Sequence, residues 1–192
     1  MAIDRLPEIK PALVTEFTVD VQAPHRLDQQ VVDASIAAAE ALVVTPPECK
    51  TAANNAPLAV NMEVVAVAAS NAQASFVIQA TASPQPTTVS PDPSGCAEFT
   101  TEAPDETSTT AQIVDAPEIA GVTTRGVHST VAINEPLTGN IHAVDQFVFS
   151  ARLDDRHLVT VTSSANPRVS KAAGERAKKL LVQAVDVVRR PA

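Results

Sequence analysis

The sequence predicts a single α+β domain, in which a mostly antiparallel β-sheet has helices packed on one face. Three observations carry this prediction. Apolar segments of strand length fill the middle of the chain, an amphipathic helix closes it, and 192 residues suit one domain better than two. We expect the domain to span residues 11–190, with residues 1–10 as an N-terminal extension.

Strands are predicted where apolar residues alternate or run continuously, and helices where they recur at spacings of three and four. In chain order, the predicted elements are a strand at 12–21, a helix at 27–44, a short helix at 50–55, strands at 59–69, 74–80, 99–101, 111–114, 127–133, 143–153 and 157–163, and a C-terminal helix.

Two hairpins are the most sharply marked features of the strand region. Residues 70–73 form the loop of the first hairpin, and residues 154–156 form the turn of the second. Four prolines within 83–95 exclude regular structure there, so this segment is predicted to be a loop of the domain.

Both long helices are predicted from apolar spacing. The first ends before Pro46, and its last residues, Val43 and Val44, fit an extended conformation equally well close to a proline. The C-terminal helix has Asn166 as its N-cap and Pro167 at its first helical position. Its apolar stripe requires a surface to pack against.

Composition excludes several classes of function. Trp and Tyr are absent and Phe occurs five times, so the chain lacks the aromatic platforms that bind single-stranded nucleic acid or sugars. The net charge of −8 repels phosphate backbones, and we expect no nucleic acid partner. The apolar residues are mainly 33 alanines and 26 valines, so small aliphatic side chains must form the core.

Charge is distributed unevenly along the chain. Residues 168–192 hold seven basic and two acidic residues, a net charge of +5, whereas no Lys or Arg occurs between Lys50 and Arg125. The first interpretation is a solvated acidic surface beside a basic helix face. The alternative is a patch of either sign that binds a partner.

Cys49 and Cys96 are the only cysteines, and each follows a turn-like segment that contains proline. Neither has a second Cys or a His at metal-ligand spacing, which argues against zinc. We predict a disulfide between them, which would place the protein outside the cytoplasm. The alternative is two free buried thiols in a cytosolic protein.

The start of the chain lacks the pattern of a signal peptide, and no apolar run is long enough to span a membrane. We therefore expect a mature form whose export leader has been removed, with a lipid anchor, where there is one, on a segment outside this sequence.

No motif for catalysis or for a cofactor is present, because the glycines are too dispersed for a phosphate loop and neither G-x-S-x-G nor H-E-x-x-H occurs. His128, His142 and Asp145 could converge as a metal or acid–base cluster, although strand histidines more often face solvent. We predict no enzyme activity, no catalytic residues, no metal and no cofactor.

A calcium site is a separate alternative, although the chain has no calcium-binding loop motif. The carboxylates that could bind calcium are Glu98, Glu102, Asp105, Glu106, Asp115 and Glu118.

The cysteine segments 46–49 and 94–99, together with a closing strand at 158–162 and a helix of the Ala-x-x-Leu-Leu-x-x-Ala-Val type at 177–185, carry a family resemblance. They resemble small exported domains and envelope lipoproteins of mycobacteria and related actinobacteria, and more distantly the extracytoplasmic sensor domain of the serine/threonine kinase PknH. The resemblance covers most of residues 11–190. It implies an antiparallel sheet with packed helices that enclose a cleft for an unidentified ligand, and it carries over no functional residue.

The sequence therefore predicts an extracytoplasmic binding or sensor-like domain, secreted or attached to the cell envelope. Small side chains on facing layers leave room for an apolar cleft between sheet and helices, and we expect a small apolar ligand or an envelope protein as partner. The alternatives are a structural or protein-interaction component of the envelope and an unrecognised hydrolase.

Overall fold

A computed structural model gives the fold for residues 1–53, 58–87, 92–104, 107–134 and 141–190. Residues 54 and 55 of the predicted short helix lie outside this part of the chain. Within it, the elements are a 3-10 helix Ile3–Ala12, strand β1 Thr18–Arg26, helix α1 Gln29–Ala41, β2 Val43–Thr45, a 3-10 turn Pro47–Cys49, α2 Lys50–Ala53, β3 Glu63–Ser70, β4 Ala74–Ala82, β5 Glu98–Glu102, β6 Ser108–Val114, β7 Thr123–Asn134, β8 Ile141–Arg152, β9 His157–Ala165 and α3 Ser170–Arg189. None of the described helices is both long and apolar enough to span a membrane.

The strands form one antiparallel sheet in the order β1-β3-β4-β9-β8-β7-β6-β5-β2, which confirms the predicted α+β class. Most neighbours in the sheet are also neighbours in the chain, as expected for hairpin connections. Strands β1 and β2 follow each other in the chain but are not neighbours in the sheet. These strands occupy opposite edges of the sheet, and the connection between them contains α1.

One face of the sheet, called here the first face, is covered by α3 and the N-terminal 3-10 helix. Alternate side chains of β3, β4, β8 and β9 point to this face and are buried, as the two-residue period of a strand requires. Small residues let α3 approach closely. A Cβ atom at Gly174 would lie 3.1 Å from the ring of Phe147. The first face therefore holds the main core.

The N-terminal segment belongs to this core rather than to an extension. Ile3, Leu6 and Ile9 are between 0% and 6% exposed, and Leu13, just after the helix, is fully buried. In a 3-10 helix, residues three apart lie one above the other, so these side chains form a single apolar stripe. The three-residue spacing of Ile3, Leu6 and Ile9 is the pattern in the sequence that fits this element.

The opposite face, called here the second face, carries a smaller core around the predicted disulfide. Cys49 and Cys96 are joined by a disulfide, with their Cα atoms 5.4 Å apart and both residues buried. The bridge ties the turn before α2 to the chain just before β5. Packed around the two cysteines are Val44, Ala52, Phe99 and Ala111, with Leu42, Ala53, Ile113 and Val127 half-buried against them. The 3-10 turn Pro47–Cys49 and α2 thus lie on the second face, while α3 lies on the first.

Several boundaries differ from the sequence prediction, and three of the differences have a clear local cause. β1 begins at Thr18 because the residues before it continue in turns, with Phe17 N donating to the carbonyl of Leu13. Val43 and Val44 are extended and form β2, the second of the two conformations considered above. The amide of Arg168 donates to the side chain of Asn166 in a turn, and α3 itself begins later, at Ser170.

Replacing Leu6 with alanine tests whether the N-terminal segment is part of the folded body. Because Leu6 is fully buried in the main core, L6A should lower the free energy of unfolding by about 2–5 kcal/mol, measured by urea denaturation. The matched control is V14A, since Val14 is 48% exposed and its loss should change little. Equal effects of the two substitutions would contradict a structural role for this segment.

Removing both cysteines tests the second core. The variant C49A/C96A should lose up to about 4 kcal/mol of unfolding free energy, because the bridge closes a loop with a sequence separation of 47. Reductant should destabilise the native protein and leave the double variant unchanged. Reaction of both thiols in unreduced native protein would show that the bridge is absent.

Candidate functional site

A cavity of about 350 Å³ lies on the second face over the central strands β4, β9 and β8. Its floor is formed by side chains that alternate with those of the main core, so Thr160 and Thr162 point into it while Val159 and Val161 point to the first face. The volume is within the range of sites that hold small molecules. The residues lining it are Leu58, Met62, Gln79, Thr81, Ser83, Thr87, Gln146, Val148, Arg152, Asp154, Arg156, His157, Leu158, Thr160 and Thr162.

The floor of the cavity is rich in hydroxyl and amide groups. Gln79 and Thr160 are direct neighbours across the β4–β9 pairing, and Thr162 is the neighbour of Val148 across the β9–β8 pairing. The hydroxyl groups of Thr160 and Thr162 make no hydrogen bond to any described residue. They are therefore available to a ligand that presents donors or acceptors.

Apolar side chains complete the lining. Leu58 and Met62 come from the segment that leads into β3, and Val148 and Leu158 come from the sheet itself. Met62 is only 4% exposed. A ligand in this cavity would therefore meet polar and apolar side chains together, an arrangement suited to a molecule with both kinds of surface.

One end of the cavity is closed by two connected loops. The loop after β4 is held against the turn between β8 and β9, because the amide of Ser83 donates to the carbonyl of Arg156 at 2.9 Å and the amide of Thr87 donates to the carbonyl of Asp155 at 2.7 Å. The loop after β4, which lines the cavity, is thereby fixed to the turn between the central strands β8 and β9.

Charged groups are concentrated at this end. Arg152 donates from Nε to the carbonyl of Asp154 at 3.1 Å and from Nη2 to the carbonyl of Thr87. Arg156 donates from Nη1 to the carbonyl of Pro84 at 3.3 Å. Both guanidinium groups therefore rest on backbone oxygens, and within the described part of the chain neither forms an ion pair.

Asp154 organises the turn beside them. Its carboxylate accepts hydrogen bonds from the amides of Arg156 and His157 at 2.8 and 2.7 Å, and both of its oxygens lie 2.9 Å from His157 Nδ1. Burial raises the pKa of this carboxyl group, but the backbone bonds and His157 together outweigh burial and hold the pKa below its ordinary value. The turn thus favours the ionised carboxylate.

The histidine cluster considered from the sequence is only partly assembled. His128 Nε2 lies 3.7 Å from Asp145 Oδ1, and Thr130 donates to the same oxygen at 2.8 Å. Ser163, a buried hydroxyl, is in the same row of the sheet as His128, but Phe147 stands between them and stacks on the His128 ring with centroids 4.4 Å apart. Among the described residues, no hydroxyl group is hydrogen-bonded to His128 Nε2.

The remaining candidate ligands do not form a metal site in the described structure. The side chain of His142 and the residues Asp105 and Glu106 lie outside what is described. Among the residues in the five described ranges, no three His, Cys, Asp or Glu side chains lie close enough together to hold a metal ion.

Between the sheet and α3, where the sequence predicts an apolar cleft, the described structure has a groove of about 430 Å³ at the start of α3. Phe17, Phe76 and Ala173 line it, with Arg176 and Lys179 among the charged side chains beside them. The larger part of the first face is closed by the main core. The cavity on the second face was missed because its location depends on which strands are neighbours, although the threonines at alternate positions of β9 were a visible signal.

Replacing Asp154 with asparagine tests the charge in the turn at the cavity. A folded-state pKa below the ordinary value means that the carboxylate stabilises the fold above the unfolded-state pKa, and that this contribution is lost as the pH falls through the folded-state pKa. D154N should therefore be less stable than the native protein at about pH 6, and the difference should shrink toward about pH 3.

The control for this experiment is D155N in the same turn, because the Asp155 carboxylate makes no hydrogen bond or ion pair with any described residue. Thermal unfolding across the pH range gives the readout. A difference between native protein and D154N that stays constant with pH would contradict the role assigned to the charge.

Comparisons with known proteins identify a similar fold but give no activity. No curated protein matches the chain. The X-ray structure of an uncharacterized protein from Mycobacterium smegmatis, described as an ortholog of Rv0999, is similar to it with a TM-score of 0.75 and 20% sequence identity, covering 98% of this chain and 97% of that chain. At this identity the similarity shows the fold alone.

The family comparison covers almost the whole sequence, including the N-terminal 3-10 helix. Neither comparison bears on the likeness to the sensor domain of PknH, which stays a prediction. Residues 2–189 match the family described as Domain of unknown function (DUF5642), and the chain therefore belongs to that family.

Proposed function

We propose that this protein is a non-enzymatic binding domain of the cell envelope that takes a small ligand into the cavity on the second face. The observation that carries the proposal is the cavity itself, about 350 Å³ in volume, whose lining combines hydroxyl groups that bind no described residue with apolar side chains. A sensor-like role would use the same cavity.

The location outside the cytoplasm is supported by the disulfide. Cys49 and Cys96 are joined by a disulfide and are buried in the second core. Structural disulfides form and persist in oxidising compartments, whereas cytosolic thiols are kept reduced. Fractionation of host cells tests this part of the proposal, and recovery of the protein in the cytoplasm would contradict it.

Binding is favoured over catalysis by the arrangement of the reactive side chains. Among the described residues, no histidine is hydrogen-bonded to the hydroxyl groups of Thr160 and Thr162 at the cavity floor, and His157, at the cavity end, is held by Asp154. A hydrolytic nucleophile needs a base within hydrogen-bond reach. The cavity is therefore better suited to holding a molecule than to reacting with it.

Native mass spectrometry of protein purified from its own host tests the binding role. We expect a bound mass that is lost in T160F, because the aromatic ring would fill the centre of the cavity. The control is T110F on β6, since Thr110 is exposed and does not line the cavity.

Thermal unfolding establishes that both variants fold. Absence of any bound mass on the native protein, or its retention by folded T160F, would contradict the proposal. Salt-sensitive capture of an envelope protein by ligand-free protein would instead favour the interaction role.

A further inference from the structure

We infer that the ligand of this cavity carries an anionic group, a carboxylate or a phosphate, which pairs with Arg152 and Arg156, and an apolar part that lies against the cavity walls. The inference rests on the proposed function, because it names the class of ligand for the same cavity.

The cavity end is positively charged on a protein that is acidic as a whole. The charged lining consists of Arg152, Arg156 and Asp154, with His157 adding a further positive charge when protonated. The lining therefore has a net charge of +1 with His157 neutral, whereas the whole chain has a net charge of −8. Asp155, in the same turn, is not part of the lining.

Asp154 does not neutralise the two arginines. Its oxygens accept from two backbone amides and lie against His157, and its contacts with Arg156 involve the backbone nitrogen rather than the guanidinium group. The guanidinium groups contact only carbonyl oxygens of the described chain. Carbonyl oxygens orient a guanidinium group without cancelling its charge.

Unused donors remain on both arginines. Arg152 donates from Nε and Nη2, which leaves Nη1, and Arg156 donates from Nη1, which leaves Nε and Nη2. The planar fork of donors on a guanidinium group matches the oxygens of a carboxylate or a phosphate. The bonds to the carbonyls of Thr87 and Pro84 hold the forks in place before a ligand arrives, which lowers the cost of ordering them.

The rest of the lining specifies what is attached to the anionic group. Leu58, Met62, Val148 and Leu158 offer apolar surface within the same cavity. A bare inorganic anion would leave this surface uncovered, whereas an amphipathic acid would bury it. The expected ligand is therefore an amphipathic anion, and not phosphate alone.

Calorimetry on the full chain, freed of bound lipid, tests the inference with four probes: decanoate, decyl phosphate, decanol and inorganic phosphate. Decanoate and decyl phosphate should bind at least about tenfold more tightly than decanol, because a hydrogen bond to a charged group contributes that much. Inorganic phosphate should bind far more weakly than decyl phosphate, which separates an amphipathic anion from a free anion.

Arginine variants locate the effect. R156Q should weaken the binding of decanoate by at least about fivefold and leave the binding of decanol unchanged. R152K keeps the positive charge at the residue that holds the loop, and it should still bind decanoate more tightly than decanol. R152Q removes this charge and should lose the preference for decanoate over decanol. The control is R168Q, because Arg168 is exposed and distant in sequence from the cavity lining, and it should change none of the affinities.

Two results would overturn the inference. If decanol binds as tightly as decanoate and T160F abolishes both, the cavity binds ligands but has no preference for anions. If none of the four probes binds, the amphipathic anion is the wrong class, and the mass spectrum of the host protein decides separately whether the cavity is occupied at all.

Discussion

The separation of side chains onto the two faces of the β4–β9 pair is the constraint on which the rest of the structure depends. On β9, Val159 and Val161 are fully buried on the first face, and Thr160 and Thr162 lie on the second. A shift of one residue in register would exchange these faces and bury hydroxyl groups in the main core. The same alternation that closes the first face therefore supplies the polar floor of the cavity.

Small residues explain why the cavity lies on the second face. On α3, Ala177 and Ala184 are fully buried, and Gly174 allows the ring of Phe147 to approach the helix backbone. Close approach leaves the central first face filled. On the second face, the covering elements are short and gather around the disulfide, so the central strands are left with space above them.

The sequence was sufficient for features that depend on local pattern and insufficient for those that depend on which strands meet. The hairpins 59–80 and 143–163 were predictable because alternation and turn residues lie within each segment. The disulfide followed from there being only two cysteines in turn settings. The pairing of Gln79 with Thr160 joins residues far apart in the chain, and no local pattern specifies it. The N-terminal 3-10 helix was missed because residues 1–10 were treated as an extension, without regard to the three-residue spacing of Ile3, Leu6 and Ile9.

Electrostatics restrict how such a cavity can select its ligand. A net charge of −8 opposes the approach of an anion at long range, but at physiological ionic strength this repulsion decays within about 8 Å of the surface. At the cavity end, the guanidinium groups of Arg152 and Arg156 act at hydrogen-bond distance, where screening is weakest. Selectivity must therefore come from short contacts made after entry rather than from attraction toward the protein. Because those contacts are combined with apolar walls, a ligand that satisfies only one of the two would lose much of its binding free energy.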